Sequence, residues 1–528
     1  MINSNNFLAL LTILIATITR SIIMRLRILH YRFCIIAFFL FYIVAAKAQQ
    51  SSTIVIHFNE KNTYQTITNF AASDAWACQF VGNWPDEKKN QIADWLFSMD
   101  TLPNGNPQGI GLSLWRYNLG AGSAEQGDSS GIRDEWRRAA LTTDNSSTER
   151  KKVEAQNWFL QAAKQRGVQQ FLGFFNSPPV QFTKNGKAYA DKGVCNIDST
   201  RYKAFADYTV KAMQEIKKST GIMFNYISPV NEPQWDWSDG GQEGCPYTNA
   251  EISNVVKAFS KAFQQSRLNT KLLITESGQL TYLLPADDNQ DKDNQIRDFF
   301  NPTSSTYIGN LPNVSQTIAS HSYFTTSPFA DAVALRTEVK DSIDRYKGLE
   351  YWQSEYCILG DNAGEINGNK KDIGMGSALY VAKVMYEDLV AANASAWQWW
   401  TAISAYNYKD GLIYIDKNKS DGNFSDSKML WAMGNYSRFI RPGMKKIEVN
   451  VAPVQDVYVS GFINENTKQL VCVLVNAGNT AQTISFDASH QHKRMVFYKT
   501  DSSENLVKHE TIGTPLQLPA QSIITVIM

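Results

Sequence analysis

Short apolar runs alternate with longer helical patterns between about residue 68 and residue 443. Eight of these runs predict β-strands, and they read TITNFAASDAW, IGLSLWRYNLGAG, VQQFLGFFNSPP, MFNYISPVNEP, KLLITESG, TIASHSYF, EYWQSEYCIL and ASAWQWWTAIS. Strands that alternate with helices form parallel sheets. Eight such units predict an α/β fold, a (β/α)₈ TIM barrel over residues 68–443.

The segments between these runs carry the signals of amphipathic helices. After the fourth run, Thr248 and Glu251 have the spacing of a capping box. Apolar side chains then follow at helical spacing, namely Ile252, Val255, Val256, Phe259 and Phe263. This stripe predicts a helix that packs on the barrel, and the preceding helix is expected to end near Gly221.

The pattern changes after Gly443, where short runs with alternating or β-branched character are separated by Asn, Gly and Asp. These runs are KKIEVNVA, VYVSGFI, QLVCVLVNA, TISFDA, RMVFYKT and SIITVIM. They predict an appended antiparallel β-sandwich over residues 444–528. The run STIVIHFN, within residues 49–67, predicts an N-terminal strand that joins this sandwich.

Residues 1–48 have the features of an export signal. A basic segment, MRLRILHYR, precedes the apolar run FCIIAFFLFYIVA and the small residues AKA. The apolar run is shorter than the roughly 20 residues that span a bilayer. We therefore predict a signal peptide rather than a stable membrane anchor, and a periplasmic or extracellular protein, with Met1 or Met24 as the start.

Charge and cysteine content limit the partners and cofactors. Removal of residues 1–48 takes away five of the 51 basic side chains and none of the 50 acidic ones, so no nucleic-acid partner is indicated. The histidines form no HExxH motif and the cysteines no CxxC motif, so no metal and no cofactor are predicted. We expect a monomer, in which a disulfide between Cys195 and Cys245 is one possibility.

Polar side chains close almost every predicted barrel strand, and the active sites of such barrels lie at these strand ends. The candidates are Asp74, Arg116, Asn118, Asn176, Asn231, Glu232, Glu276, His321, Tyr323, Glu355 and Trp399. Hydrolysis of a glycosidic bond needs one protonated carboxyl group and one ionised carboxylate. Glu232 and Glu355, which close the fourth and seventh strands, form the predicted pair, and Glu276 is the competitor.

Five of the strand-end motifs resemble those of a known enzyme family. SPVNEP and WQSEY look like the acid/base and nucleophile motifs of clan A retaining glycoside hydrolases. NFAASDAW, LWRYNLGAG and FNSPP are similar to glycoside hydrolase family 30 and, within it, to the endo-β-1,6-galactanase-like branch. The resemblance spans the barrel and fits the appended β domain. It implies a secreted, retaining hydrolase of a β-linked polysaccharide, with endo-β-1,6-galactanase as the specific expectation.

The same resemblance implies roles for individual residues. Glu232 would be the acid/base and Glu355 the nucleophile. The implied substrate-binding residues are Asn231 at the sugar 2-hydroxyl, Arg116 holding Glu355 ionised, His321 and Tyr323 near the nucleophile, and Trp399 as a stacking platform. Further candidates for substrate binding are Asp74 and Asn118, which close predicted strands, and Trp235, an aromatic residue after the fourth strand. The two carboxyl groups are expected about 5 to 5.5 Å apart. Trp115, beside Arg116, is expected to face the helices.

Other readings of the sequence stay open. After FNSPP the chain carries Val180, Gln181 and Phe182, where family members often have a tryptophan. The same mechanism therefore also fits a β-1,6-glucanase, a xylanase or a glucosylceramidase-type hydrolase. An alternative from another class is a non-catalytic carbohydrate-binding protein that keeps the cleft, although both carboxylates are present.

Overall fold

The computed structural model describes residues 11–12, 14–20, 22, 24–26, 30, 53–143, 149–286, 291–490 and 494–528. Most of the predicted signal peptide, with its apolar run and the AKA segment, lies outside the described residues, and the described positions between 11 and 30 are helical. No helix in the described part has the length and apolar character needed to cross a membrane. Residues 54–528 form one compact unit, to which the following description applies.

A closed barrel of eight parallel strands confirms the predicted TIM barrel. After a first strand, β1 (Ile54–Thr66), the barrel strands are β2 (Asn69–Ser73), β3 (Leu114–Asn118), β4 (Gln170–Phe174), β5 (Tyr226–Ser228), β6 (Lys271–Ser277), β7 (Val314–His321), β8 (Glu350–Glu355) and β9 (Ala396–Ser404). Each strand pairs with the next, and β9 pairs with both β8 and β2, which closes the barrel. All eight predicted runs therefore contain a barrel strand.

Helices surround the barrel at the positions that the apolar stripes indicate. Their bounds are α1 (Cys78–Val81), α2 (Asp86–Phe97), α3 (Ser123–Gln126), α4 (Arg150–Gln165), α5 (Tyr202–Thr220), α6 (Asn249–Gln265), α7 (Gln295–Phe300), α8 (Phe329–Ile343), α9 (Met375–Tyr386) and α10 (Lys428–Ser437). The capping box of Thr248 and Glu251 is present at the start of α6. Helix α5 ends at Gly221, whose φ of 72° suits a glycine.

Beyond β9 the barrel sheet continues into β10 (Gly411–Ile415) and β11 (Phe424–Asp426). The appended sandwich contains β12 (Lys445–Asn450), β13 (Val457–Ile463), β14 (Leu470–Asn476), β15 (Gln482–Phe486), β16 (Arg494–Thr500), β17 (Val507–Ile512), β18 (Leu516–Leu518) and β19 (Ser522–Ile527). Strand β1 pairs antiparallel with β12 and parallel with β15, while the other pairings of the sandwich are antiparallel. The N-terminal strand thus joins the two layers.

Strand β14 shows how the sandwich is fixed to the barrel. All seven of its residues are buried, and successive side chains face opposite sides of a sheet. Val471, Val473 and Val475 belong to the core of the barrel, next to helix α9. Cys472 and Leu474 belong to the core between the two sandwich layers. Both faces of this strand are therefore apolar because both are covered.

Trp115 on β3 faces the helices, as expected from its position next to Arg116. Its ring stacks on Phe159 of α4 at 6.1 Å between centroids and meets the edge of Phe97 at 4.9 Å. The alternation along β3 therefore directs Arg116 to the opposite side of the strand, into the barrel.

The contribution of β1 to the sandwich core can be tested with neighbouring residues. Ile56 is fully buried in the sandwich core, whereas Val55 is 43% exposed. We expect Ile56→Ala to lower the free energy of unfolding by about 2–5 kcal/mol, because it leaves a cavity. Val55→Ala should cost less than about 1 kcal/mol. Urea denaturation followed by tryptophan fluorescence measures both, and equal losses would contradict the assignment.

Candidate active site

The carboxyl ends of the barrel strands bring five charged or titratable side chains into one buried cluster. Arg116 lies on β3, Glu276 on β6, His321 ends β7 and Glu355 ends β8. Glu232 lies in the loop that follows β5. Glu232 is 7% exposed and Glu355 3% exposed, while the other three are completely buried. The two predicted catalytic carboxyl groups are thus the members of the cluster that solvent reaches.

His321 lies between the two predicted catalytic carboxyl groups. Its Nδ1 is 2.9 Å from Oε1 of Glu232 and 3.5 Å from Oε1 of Glu355. One oxygen of each carboxyl group and the imidazole nitrogen all lie within 4.8 Å of one another. The side chains of Glu232 and Glu355 therefore face each other, with one oxygen of each within 4.8 Å of the other.

Both oxygens of Glu355 are held by neighbouring side chains. Nη1 of Arg116 lies 2.5 Å from Oε2, and the hydroxyl of Tyr323 donates a hydrogen bond of 3.0 Å to Oε1. Arg116 also donates through Nη2 to Oδ1 of Asn231 at 3.0 Å. A carboxylate with a guanidinium on one oxygen and a hydroxyl on the other has a fixed orientation.

Glu276 is a third carboxylate, and its contacts give it a supporting position. The hydroxyls of Ser228 and Ser354 donate to its two oxygens at 2.6 and 2.5 Å, and Nε2 of His321 lies 3.3 Å from Oε2. Its Oε2 is also 3.6 Å from Nη2 of Arg116. Because Glu276 is fully buried behind these groups, it acts on them and not on a substrate.

The neighbouring charges oppose the effect of burial on the pKa values of this cluster. Burial alone raises the pKa of Glu276, but Arg116 and His321 lower it to about 2. Burial lowers the pKa of His321, but the surrounding carboxylates of Glu355, Glu232 and Glu276 raise it to about 9. Burial and the neighbouring Glu232 raise the pKa of Glu355, and His321 and Arg116 offset this only in part. At neutral pH the cluster therefore contains an imidazolium and an ionised Glu276.

Two residues of the cluster have left-handed backbone conformations. Glu232 has a φ of 45° and Glu276 a φ of 55°, which non-glycine residues rarely adopt. The backbone N–H of Glu232 donates to the carbonyl of Glu276 at 2.8 Å. This bond ties the loop after β5 to the end of β6. Backbone strain of this kind concentrates at functional sites.

Amide side chains continue the cluster towards the first strands of the barrel. Nδ2 of Asn231 donates to Oδ1 of Asn176 at 3.1 Å. Nδ2 of Asn176, Oδ1 of Asn118 and Nε1 of Trp76 are buried without a partner in the described part of the protein. Buried polar atoms are normally hydrogen-bonded, so these three are exceptions beside the cluster.

Two of the predicted substrate-binding residues need correction. Asp74 accepts hydrogen bonds from the backbone of Asn118 at 2.7 Å and from Gln156 at 3.1 Å, and burial raises its pKa to about 7. Its two oxygens join β2 to β3 and α4. Trp399 is completely buried, and its Nε1 donates to the carbonyl of Asp410 at 2.7 Å. Trp399 therefore presents no face for a sugar to stack on.

Trp400 occupies the side of β9 that the prediction gave to Trp399. Its ring meets the edge of Trp76 at 5.3 Å and lies 5.8 Å from the guanidinium of Arg116. Successive strand residues face opposite sides, and two consecutive tryptophans do not reveal which of them faces the barrel interior.

Trp235 and Trp237 lie half-buried in the loop after β5, where Nε1 of Trp237 donates to the carbonyl of Glu232 at 2.9 Å.

The two loop cysteines are present as thiols. Cys195 and Cys245 are both buried and free, so the disulfide suggested by the sequence is absent from the structure. They are nevertheless neighbours, because the backbone N–H of Asn196 donates to the sulfur of Cys245 at 3.3 Å.

Among the described residues, Glu232, His321 and Glu355 form the group with a spacing suited to a metal ion. A metal there would compete with the guanidinium of Arg116, which already contacts Glu355. Both ring nitrogens of His321 also face carboxylates already. The donor set is therefore that of an ion-pair network, which suits proton transfer and nucleophilic attack by carboxyl groups.

The pKa of His321 generates a prediction about stability. Because the pKa rises from 6.5 to about 9, its ion pairs stabilise the fold fully below pH 6.5 and lose this effect as the pH rises through 9. We expect the difference in unfolding free energy between the wild type and His321→Asn to shrink between pH 7 and pH 10. Urea denaturation at several pH values measures it. A difference that stays constant would assign His321 a packing role only.

Comparison with known proteins agrees with this geometry. Glucuronoxylanase XynC from Bacillus subtilis is 29% identical over 194 residues, which cover 34% of this chain and 40% of that protein. A solved structure described as a conserved exported protein from Bacteroides fragilis is 33% identical, with a TM-score of 0.83, and the match covers 90% of this chain and all of that one.

The fold is shared more widely. The catalytic domain of xylanase C from Talaromyces cellulolyticus, a family 30 enzyme, is 20% identical, with a TM-score of 0.65, over 90% of this chain and 99% of that one. The model of O-glycosyl hydrolase family 30 matches residues 52–414, which is most of the chain. The protein therefore belongs to glycoside hydrolase family 30.

Proposed function

We propose that the protein hydrolyses a β-linked polysaccharide with retention of configuration, using Glu232 as acid/base and Glu355 as nucleophile. The observation that carries the proposal is the spacing of less than 4.8 Å between an oxygen of each carboxyl group. Retaining pairs are about 5–5.5 Å apart, whereas inverting pairs need about 6.5–9.5 Å to admit a water molecule. Retention is also typical of the family.

The proposed mechanism starts with Glu232 protonated and Glu355 ionised. Arg116 and His321 are positive, and Glu276 and Glu355 are negative, so these four groups are balanced when Glu232 is neutral. A buried site disfavours a net charge. Glu355 then attacks the anomeric carbon while Glu232 gives its proton to the leaving oxygen, and the glycosidic bond breaks. Arg116 and Tyr323 hold the attacking carboxylate in position.

The same balance holds in the glycosyl-enzyme intermediate. The ester on Glu355 carries no charge, but Glu232 is now ionised, so the net charge of the five side chains is unchanged. His321 contacts both carboxyl groups and pairs with whichever of them is negative. Glu232 then removes a proton from water, which attacks the anomeric carbon and releases Glu355. Two displacements restore the original configuration.

The sugar is proposed from the resemblance of the motifs, with β-1,6-galactan as the substrate and endo action on it. NFAASDAW, LWRYNLGAG and FNSPP carry this assignment, although Val180 stands where relatives often have a tryptophan. The second candidate is glucuronoxylan, which the 29% identity to XynC favours. Export to the periplasm or the medium is supported by the pattern of residues 1–48 and by the exported relative from Bacteroides fragilis.

The role of Glu355 can be tested on a matched pair of variants. We expect Glu355→Gln to reduce turnover of aryl glycosides and polysaccharide below detection, because an amide cannot form the intermediate. Glu350→Gln, at the exposed opposite end of β8, should retain wild-type turnover. Reducing-sugar release measures activity, and circular dichroism checks the fold. Undiminished activity of Glu355→Gln would remove this residue from the role.

The substrate and the stereochemistry can be tested together. The enzyme would be incubated with β-1,6-galactan, β-1,6-glucan and glucuronoxylan, and proton NMR would follow the first anomer released. We expect β-configured oligosaccharides from galactan. Products from xylan alone would favour the second candidate, and α-configured first products would contradict the retaining mechanism. An absence of products from all three, in folded protein, would favour a non-catalytic binding role.

A further inference from the structure

Phe324, in the loop after β7, combines two unfavourable properties. Its side chain is 53% exposed, and its backbone φ is 58°, in the left-handed region. Bulky residues are rare in this region of backbone conformation. An exposed apolar side chain also lacks the stabilisation that burial provides. Such strain persists where the surroundings impose it and is often linked to function. Phe324 directly follows Tyr323, whose hydroxyl contacts Glu355.

Phe324 belongs to a group of three rings that we call the aromatic wall, formed by Trp235, Tyr282 and Phe324. The ring of Trp235 meets Phe324 at 6.1 Å and 88°, and Tyr282 at 6.1 Å and 83°. The backbone N–H of Trp235 donates to the carbonyl of Glu232 at 3.3 Å. The wall is thus attached to the loop of Glu232, and its residue Phe324 directly follows Tyr323, which contacts Glu355.

Two glycines support the wall from behind. A Cβ atom at Gly278 would lie 2.4 Å from Nε1 of Trp235, and one at Gly360 would lie 3.1 Å from Cε1 of Phe324. The rings of Trp235 and Phe324 therefore pack directly against the backbone at these two glycines. Their positions are determined by close backbone contact, as a rigid binding surface requires.

The position of the wall indicates which part of the substrate it meets. Glu232 gives its proton to the leaving oxygen, so a surface on the loop of Glu232 adjoins the leaving group. Towards β3 and β4 the cluster is bordered instead by polar groups of Arg116, Asn231 and Asn176. The aromatic wall lies on the loops after β5, β6 and β7, whereas these polar groups lie on or after β3, β4 and β5.

We propose that the aromatic wall is the leaving-group subsite and stacks the sugar ring on the reducing side of the scissile bond. Sugar rings present apolar C–H faces that pack on aromatic side chains. The ligand is a pyranose ring, whose apolar face meets the rings of the wall. This inference rests on the proposed function and extends it to a residue that the strand-end motifs do not indicate.

The test replaces Phe324 with glycine, which accepts the left-handed backbone. We expect kcat/KM for a β-1,6-galactooligosaccharide to fall at least tenfold, mostly through KM. The loss on β-galactosyl fluoride should be at least fivefold smaller, because fluoride has no ring to stack. Circular dichroism should show the wild-type fold in Phe324→Gly, because glycine accepts this backbone conformation. Equal losses on both substrates, or no loss on either, overturn the proposal.

The matched control is Phe329→Ala, which removes another exposed phenylalanine. Phe329 begins α8, is 37% exposed and packs against Tyr458 of the appended sandwich. The ratio of kcat/KM for the oligosaccharide to that for the fluoride should match the wild type in this variant. A drop in the ratio as large as that of Phe324→Gly would overturn the assignment to the wall.

Binding measured in a variant that does not turn over its substrate tests the aromatic wall separately from the proposed function. Hydrolysis of the fluoride, or of the substrate that the polysaccharide panel identifies, by the wild type tests the function. Isothermal titration of the oligosaccharide into Glu355→Gln, with and without Phe324→Gly, tests the wall. We expect the second change to weaken binding at least fivefold, and equal affinities overturn the proposal whether or not the wild type turns over.

Discussion

The buried guanidinium of Arg116 is the constraint on which the arrangement of the site depends. A cation with no solvent exposure must be paired with carboxylates and hydrogen-bond acceptors, or it destabilises the fold. Arg116 meets this requirement with Glu355 on β8, Glu276 on β6 and Asn231 after β5. One side chain on β3 therefore fixes the ends of three other strands. The geometry of the two catalytic carboxyl groups follows from charge neutralisation as much as from the shape of the barrel.

Three residues at or after the carboxyl ends of β5, β6 and β7 have left-handed backbone conformations. Glu232, Glu276 and Phe324 have φ values between 45° and 58°. The hydrogen bond between the backbones of Glu232 and Glu276 and the close packing of Phe324 on Gly360 maintain these conformations. Between β2, β3 and α4 the structure relies on hydrogen bonds, such as those of Asp74.

The barrel and the proximity of Glu232 and Glu355 could be predicted from the sequence, while the packing around them could not. Eight strands have an apolar pattern of their own, and polar residues such as Glu232 and Glu355 mark the strand ends. The pattern does not show which of Trp399 and Trp400 faces inward, because both are apolar and adjacent. It also leaves Asp74 indistinguishable from a substrate ligand, since its partner Gln156 lies on a distant helix. The exposure and backbone strain of Phe324 arise only in the folded loop, so its sequence neighbours give no signal.

The third carboxylate explains how the site tolerates two buried cations. Without the charge of Glu276, Arg116 and His321 would face Glu355 alone, and the cluster would carry an excess positive charge, which is costly at a buried site. The hydroxyls of Ser228 and Ser354 stabilise the ionised form of Glu276. The charge balance around the proposed catalytic pair therefore depends on a residue that lies buried behind it.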